Sequence, residues 1–162
     1  MLRWIVSAIL IIGLVWAGLT IGSSLKARSW VVYTSPDNKF AADFPAEPAE
    51  LAEPAPPPFK GDLHTVTAGT EYSVYQVAYL ELAPGSSLPE AALMAMTAHK
   101  IGGNLVILSR DVFRVDHEDG GRTQCKISRA GNRVYRLSVS HSPRYHEQKD
   151  VDYFFANFDA RP

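Results

Sequence analysis

Arg122 to Ser140 reads RTQCKISRAGNRVYRLSVS and His146 to Phe158 reads HEQKDVDYFFANF, a β-hairpin followed by an amphipathic helix. In the helix, Val151, Phe154, Phe155 and Phe158 recur at i, i+3, i+4 and i+7, the spacing that gathers apolar side chains into one stripe. That stripe needs a sheet to lie on. Thr123, Cys125 and Ile127 alternate along one arm of the hairpin and Tyr135, Leu137 and Val139 along the other, so each arm has one apolar face. A two-residue Gly131-Asn132 turn would pair Ile127 with Arg136 and send the two apolar faces to opposite sides. A three-residue loop, Ala130-Gly131-Asn132, pairs Ile127 with Tyr135 and Cys125 with Leu137. The longer loop is expected, because a slip of one residue would expose half of the hydrophobic set.

Working outward, the chain has 162 residues. With about 30 of them taken up by the N-terminus, the rest make one domain with its own core. Trp4 to Gly22 reads WIVSAILIIGLVWAGLTIG, without a charge. As a helix it would reach about 28 Å, close to the hydrocarbon thickness of a bilayer. A retained transmembrane anchor over residues 1–25 is the preferred reading. A cleaved signal peptide, ending near Val15-Trp16-Ala17, and a buried core helix are the alternatives. Arg3 precedes the run while Lys26 and Arg28 follow it, so the positive-inside balance is nearly tied. The short basic start favours export, which puts the globular part outside the cytoplasm. Residues 26–29 form a short linker, and residues 30–162 form the globular domain.

Within that domain, Trp30 to Tyr33 and Phe40 to Phe44 read as strands joined by a Ser35-Pro36-Asp37-Asn38 turn. Residues 45–61, PAEPAELAEPAPPPFKG, read as an extended solvated loop, since proline removes backbone donors. Tyr72 to Leu82 is apolar on both faces, which suits the middle of a sheet. Ser87-Leu88-Pro89-Glu90 is a capping-box pattern, and Ala91, Met94, Ala98 and Ile101 form the stripe of the helix expected after it. Strands follow at Leu105 to Leu108 and around Phe113 and Val115, up to the acidic turn Asp116 to Gly121.

Chemistry-bearing patterns are sparse. The acidic turn lacks the spacing of a calcium loop, and His64, His99, His117, His141 and His146 do not converge on a zinc geometry. Cys125 is expected to face the core. No catalytic, cofactor-binding or metal-binding residue is assigned, and no cofactor is implied. The charge distribution is too thin for a nucleic-acid arm. One surface stands out: Arg122, Lys126 and Arg136 share the polar face of the hairpin in the longer-loop register, with Arg129 and Arg133 beside the loop. These five form a candidate interaction patch for an acidic partner or anionic headgroups.

The order of elements resembles the PsbP-like fold, most specifically in SPDNKF…FP near the start and GNRVY…FFANF near the end. That fold occurs in photosystem II extrinsic proteins, a Ran-binding nuclear import factor and many bacterial exported domains. Ala46 departs from the glycine that often follows FP in the bacterial branch. The resemblance implies an α+β architecture, an antiparallel sheet flanked by helices in an α/β/α sandwich, here preceded by one transmembrane helix. It implies an accessory or docking module and carries over no functional residue. The expected function is therefore a membrane-tethered extracytoplasmic module that binds a partner protein or stabilises a membrane complex. A small-ligand receptor or enzyme, with a pocket between sheet and helices near His141 and His146, is the rival.

Overall fold

The computed structural model describes residues 29–55, 59, 61–83, 85, 88–145 and 147–162. The expected anchor and most of the linker lie outside these residues, as do Ser87 and His146. Among the described residues no helix is long and apolar enough to cross a membrane.

The architecture is α+β and rich in antiparallel strands. Seven strands form one sheet in the order β3 (Ala49–Pro54), β4 (Asp62–Gly69), β5 (Ser73–Glu81), β9 (Arg133–His141), β8 (Arg122–Ala130), β7 (Val112–Asp116) and β6 (Asn104–Ile107). A smaller sheet has β2 (Phe40–Phe44) between β1 (Val31–Thr34) and the short terminal β10 (Asp159–Ala160). Helix α1 (Glu90–Ile101) packs over β6, β7 and β8. Helix α2 (Gln148–Ala156) lies on the opposite face, beside the small sheet.

The β8–β9 hairpin corrects the expected register. Ala130 pairs with Arg133 across a two-residue Gly131-Asn132 turn, so Ile127 lies opposite Arg136 and Cys125 opposite Ser138. Gly131 has φ 56°, the left-handed conformation that tight hairpin turns of this kind require. The apolar sets of the two arms therefore point to opposite sides. This is stable because both sides are covered. Cys125, Ile127 and Val134 pack with Phe113, Val115 and the Leu93, Met94 and Ala98 face of α1. Tyr135, Leu137 and Val139 pack with Phe40, Phe44 and the Val151, Phe154 and Phe155 face of α2. The one-residue slip that would strip a one-sided sheet of its core instead feeds two cores.

The C-terminal stripe behaves as its periodicity predicts. Val151, Phe154 and Phe155 are buried, and the Phe154 ring meets Phe44 at 5.5 Å and Tyr75 at 5.4 Å. Phe158, just past the helix, packs edge-on against Tyr135 at 5.1 Å. As expected, β5 lies inside the sheet, between β4 and β9; its Tyr75 and Val77 face is buried, while on the other face Ala78 is buried and Val74, Gln76 and Leu80 are half-buried.

Two local expectations change. Helix α1 has Pro89 at its N-cap position and no side-chain cap; Glu90 pairs outward with Arg110 at 3.1 Å instead of reaching back. Its buried face is Leu93, Met94, Thr97 and Ala98, with Ala91 exposed. The proline-rich stretch is also more ordered than a loop, since Ala49–Pro54 forms the fully exposed edge strand β3. An edge tolerates proline because only one side of the strand needs hydrogen bonds, and Glu50, Glu53 and Pro54 guard it against further pairing.

Candidate functional site

The small sheet and α2 cover one face of the large sheet only in part. Over β7, β8 and the end of β9 that face stays open as a groove of about 320 Å³. Strand pairing aligns Arg114 with Gln124, and Asp116 with Arg122 and then His141, so these side chains share the open face. Glu147 and Gln148, at the start of α2, form the opposite wall. Lys126 continues the row on the same face, opposite Val112 and Leu137.

Asp116 organises the cations. Its carboxylate accepts one hydrogen bond of 2.9 Å from a terminal nitrogen of Arg114 at Oδ2, and the Arg114 Nε lies in ion-pair range, 2.7 Å from Oδ1. The Arg122 Nε lies 3.5 Å from the same carboxylate and about half of its side chain is open to solvent. On the other wall Glu147 accepts a short hydrogen bond from the Tyr145 hydroxyl. Two arginines, Arg114 and Arg122, thus line the groove across from Glu147, and Lys126 lies on the same sheet face beyond it.

His141 borders this groove, and its Nδ1 is 2.7 Å from the Ser73 hydroxyl. Ser73 is only 2% exposed. The pair therefore ties β5 to β9 and does not present a nucleophile.

The five cations of the expected patch do not form one surface. Arg122 and Lys126 belong to the groove face. Arg133 is on the same side of the sheet but at its far end, buried against Asp37 at 2.7 Å and Glu81 at 2.8 Å and lying 4.8 Å over the Tyr79 ring. Arg129 and Arg136 point to the α1 side, because the two-residue turn places them opposite Val134 and Ile127. Arg129 donates to the Leu88 carbonyl at 2.8 Å, and Arg136 donates to Gln76 Oε1 at 2.7 Å. Sequence reasoning missed Arg114 as a member of the groove. Its alternation with Phe113 and Val115 marks a polar face, but only the pairing of β7 with β8 brings it beside Arg122.

The Asp37–Arg133–Glu81 bridge has a second consequence. It joins SPDNKF to GNRVY, and the Tyr135 hydroxyl adds a bond of 3.2 Å to the Lys39 carbonyl. Hydrogen bonding from Arg133 holds the Asp37 carboxyl down at about 2 and lowers that of Glu81 as well. Burial opposes the charge on Arg133, yet its bonds to Asp37 and Glu81 outweigh that and keep it protonated.

A further cluster joins the two sheets. Glu50 accepts from Tyr33 at 2.8 Å and Tyr79 at 3.4 Å, while His64 stacks on Tyr79 at 4.9 Å. Burial, reinforced by Glu50, pushes the Tyr79 hydroxyl up to about 12 and raises that of Tyr33, so both remain donors. Among the described residues no group of three or more histidine, cysteine or carboxylate side chains is arranged to hold a metal ion. Compared with known proteins, the chain matches no family model and no curated sequence.

Proposed function

We propose that this chain is a membrane-tethered module of PsbP-like architecture whose globular part lies outside the cytoplasm and binds a partner protein or stabilises a membrane complex. It performs no catalysis of its own. The observation that carries the reading is the open part of an otherwise covered sheet face, where Arg114 and Arg122 line a groove floored by β7 and β8 and Lys126 shares that face. A rigid floor with cations projecting from it suits an acidic surface, and such charges act mainly on encounter rate and orientation. The antiparallel sheet between α1 and α2 is the coarse α+β architecture that this reading requires. The apolar run Trp4 to Gly22 supports the tether.

The test is crosslinking of the full chain in its native membrane, with partners identified for the wild type and for a double variant, Arg122→Glu with Lys126→Glu. Arg122 is exposed and Lys126 half-buried, and melting of the double variant is measured beside recovery so that a folding defect is told apart from lost binding. Recovery of the specific partner is expected to fall at least tenfold. Undiminished recovery of every partner by the double variant would remove the groove from the proposal.

A further inference from the structure

On the side of the sheet opposite the groove, a second concavity lies between α1 and strands β4, β5, β8 and β9. It is a partly open, chiefly apolar cleft of about 110 Å³ whose walls include Phe59, Leu63, Leu93, Met96 and Ile127. Arg136 lines it from the sheet and Lys100 from the end of α1. Arg136 is the anomaly. One terminal nitrogen donates to Gln76, but its Nε is buried with no hydrogen-bond partner, and among the described residues no carboxylate pairs with it. The nearby acid is Cys125, whose thiol burial pushes up to about 12, so it stays neutral and supplies no counter-charge. Arg136 is half-buried, so water still reaches part of its guanidinium, but its buried Nε lacks an acceptor and its charge lacks a counter-ion among the described residues, which an anion arriving with its own apolar cover would supply.

We propose that this cleft binds a single-chain carboxylate amphiphile, a medium-chain fatty acid, with its carboxylate on Arg136 and its chain against Phe59, Leu63, Leu93 and Met96. The cleft is too small for a folded partner. A monoanion matches the half-buried Arg136, with which no carboxylate among the described residues pairs, while Lys100 at the rim steers its approach. This site is independent of the groove, from which the whole sheet separates it.

The test is equilibrium dialysis of labelled decanoate against the full chain held in zwitterionic nanodiscs, with empty discs subtracted. Saturable binding of one decanoate per chain is expected. Arg136→Gln should weaken it at least tenfold while leaving the melting temperature at or above that of the wild type, since the substitution removes an uncompensated charge. Met96→Asp, at an exposed wall position, should also weaken binding and decides the matter should Arg136→Gln not fold. Arg129→Gln, on the same side but bonded to Leu88, should bind as the wild type does. Decanol and acetate should each bind at least tenfold more weakly than decanoate. The proposal is overturned by an absence of saturable decanoate binding, by wild-type affinity in both Arg136→Gln and Met96→Asp, by decanol binding as well as decanoate, or by decyl phosphate binding more tightly than either.

Discussion

Arg133 shows how much one side chain does here. Arg133 is 8% exposed, and its guanidinium sits over Tyr79 and takes both Asp37 and Glu81, which fastens the β1–β2 turn onto the central strands. The lowered carboxyl of Asp37 makes this fastening sensitive to acid. Its folded value is about 2 against roughly 4 for an ordinary aspartate. The stabilisation is therefore complete above about pH 4 and is lost as pH falls towards 2. Solvent reaches much of the Asp37 side chain, so the contribution is discounted to about 1 kcal/mol. Asp37→Asn is expected to lower stability by that amount at pH 7 and to flatten its fall between pH 4 and pH 2, as read from urea unfolding at a series of pH values. Parallel pH profiles for variant and wild type would show that Asp37 contributes nothing through its charge. The turn residues were legible as a turn. That Asp37 would meet Arg133, almost a hundred positions later, was not, because a lone exposed aspartate and a lone arginine have many other ways to be solvated.

Among the elements, strand and helix identity could be read from spacing, while pairing register could not. The α2 stripe and the central place of β5 follow from residues that alternate or recur within one segment. The β8–β9 register depends on what lies on each side of the sheet. A one-sided hairpin would have favoured the three-residue loop, whereas cover from α1 on one face and from α2 and the small sheet on the other permits the two-residue turn. Inserting one glycine between Gly131 and Asn132 should force β8 and β9 either to slip or to splay. The expected loss exceeds about 3 kcal/mol, since a slip would drive Ile127 or Tyr135 out of its core. Chemical denaturation measures it, and wild-type stability in the insertion variant would rule out the strict dependence on the short turn. The α1 face illustrates the same limit more mildly. Its helical period was visible, but whether Ala91 or Leu93 turned inward depended on Phe113 and Ile127 beneath it.

For the molecule as a whole, closure comes from the last four residues. Asp159 and Ala160 pair with β2, the Arg161 backbone N–H donates to the Lys39 carbonyl at 2.8 Å, and its side chain reaches Asn38. The two ends of the globular region are thus stitched into one small sheet. Removing Asp159 to Pro162 should leave a cooperative fold that is less stable by about 2 kcal/mol, a few net hydrogen bonds at roughly 1 kcal/mol each. Thermal unfolding reads this directly. An unchanged melting temperature would mean that β10 is an ornament of the fold, and loss of cooperativity would mean that it is part of the core.

By itself, the sequence determined which segments alternate, which recur at helical spacing and which turn, and hence an α+β chain with a phenylalanine-lined terminal helix. These are local properties, set by backbone geometry and by the side chains of a few neighbouring residues. Only the tertiary structure decided that the two arms of the β8–β9 hairpin send their apolar sets to opposite, separately covered sides, and with that the side on which each hairpin cation lies. Burial depends on elements distant in sequence, so Arg122 and Lys126 came to the groove face, Arg133 to a buried bridge and Arg136 to the apolar cleft.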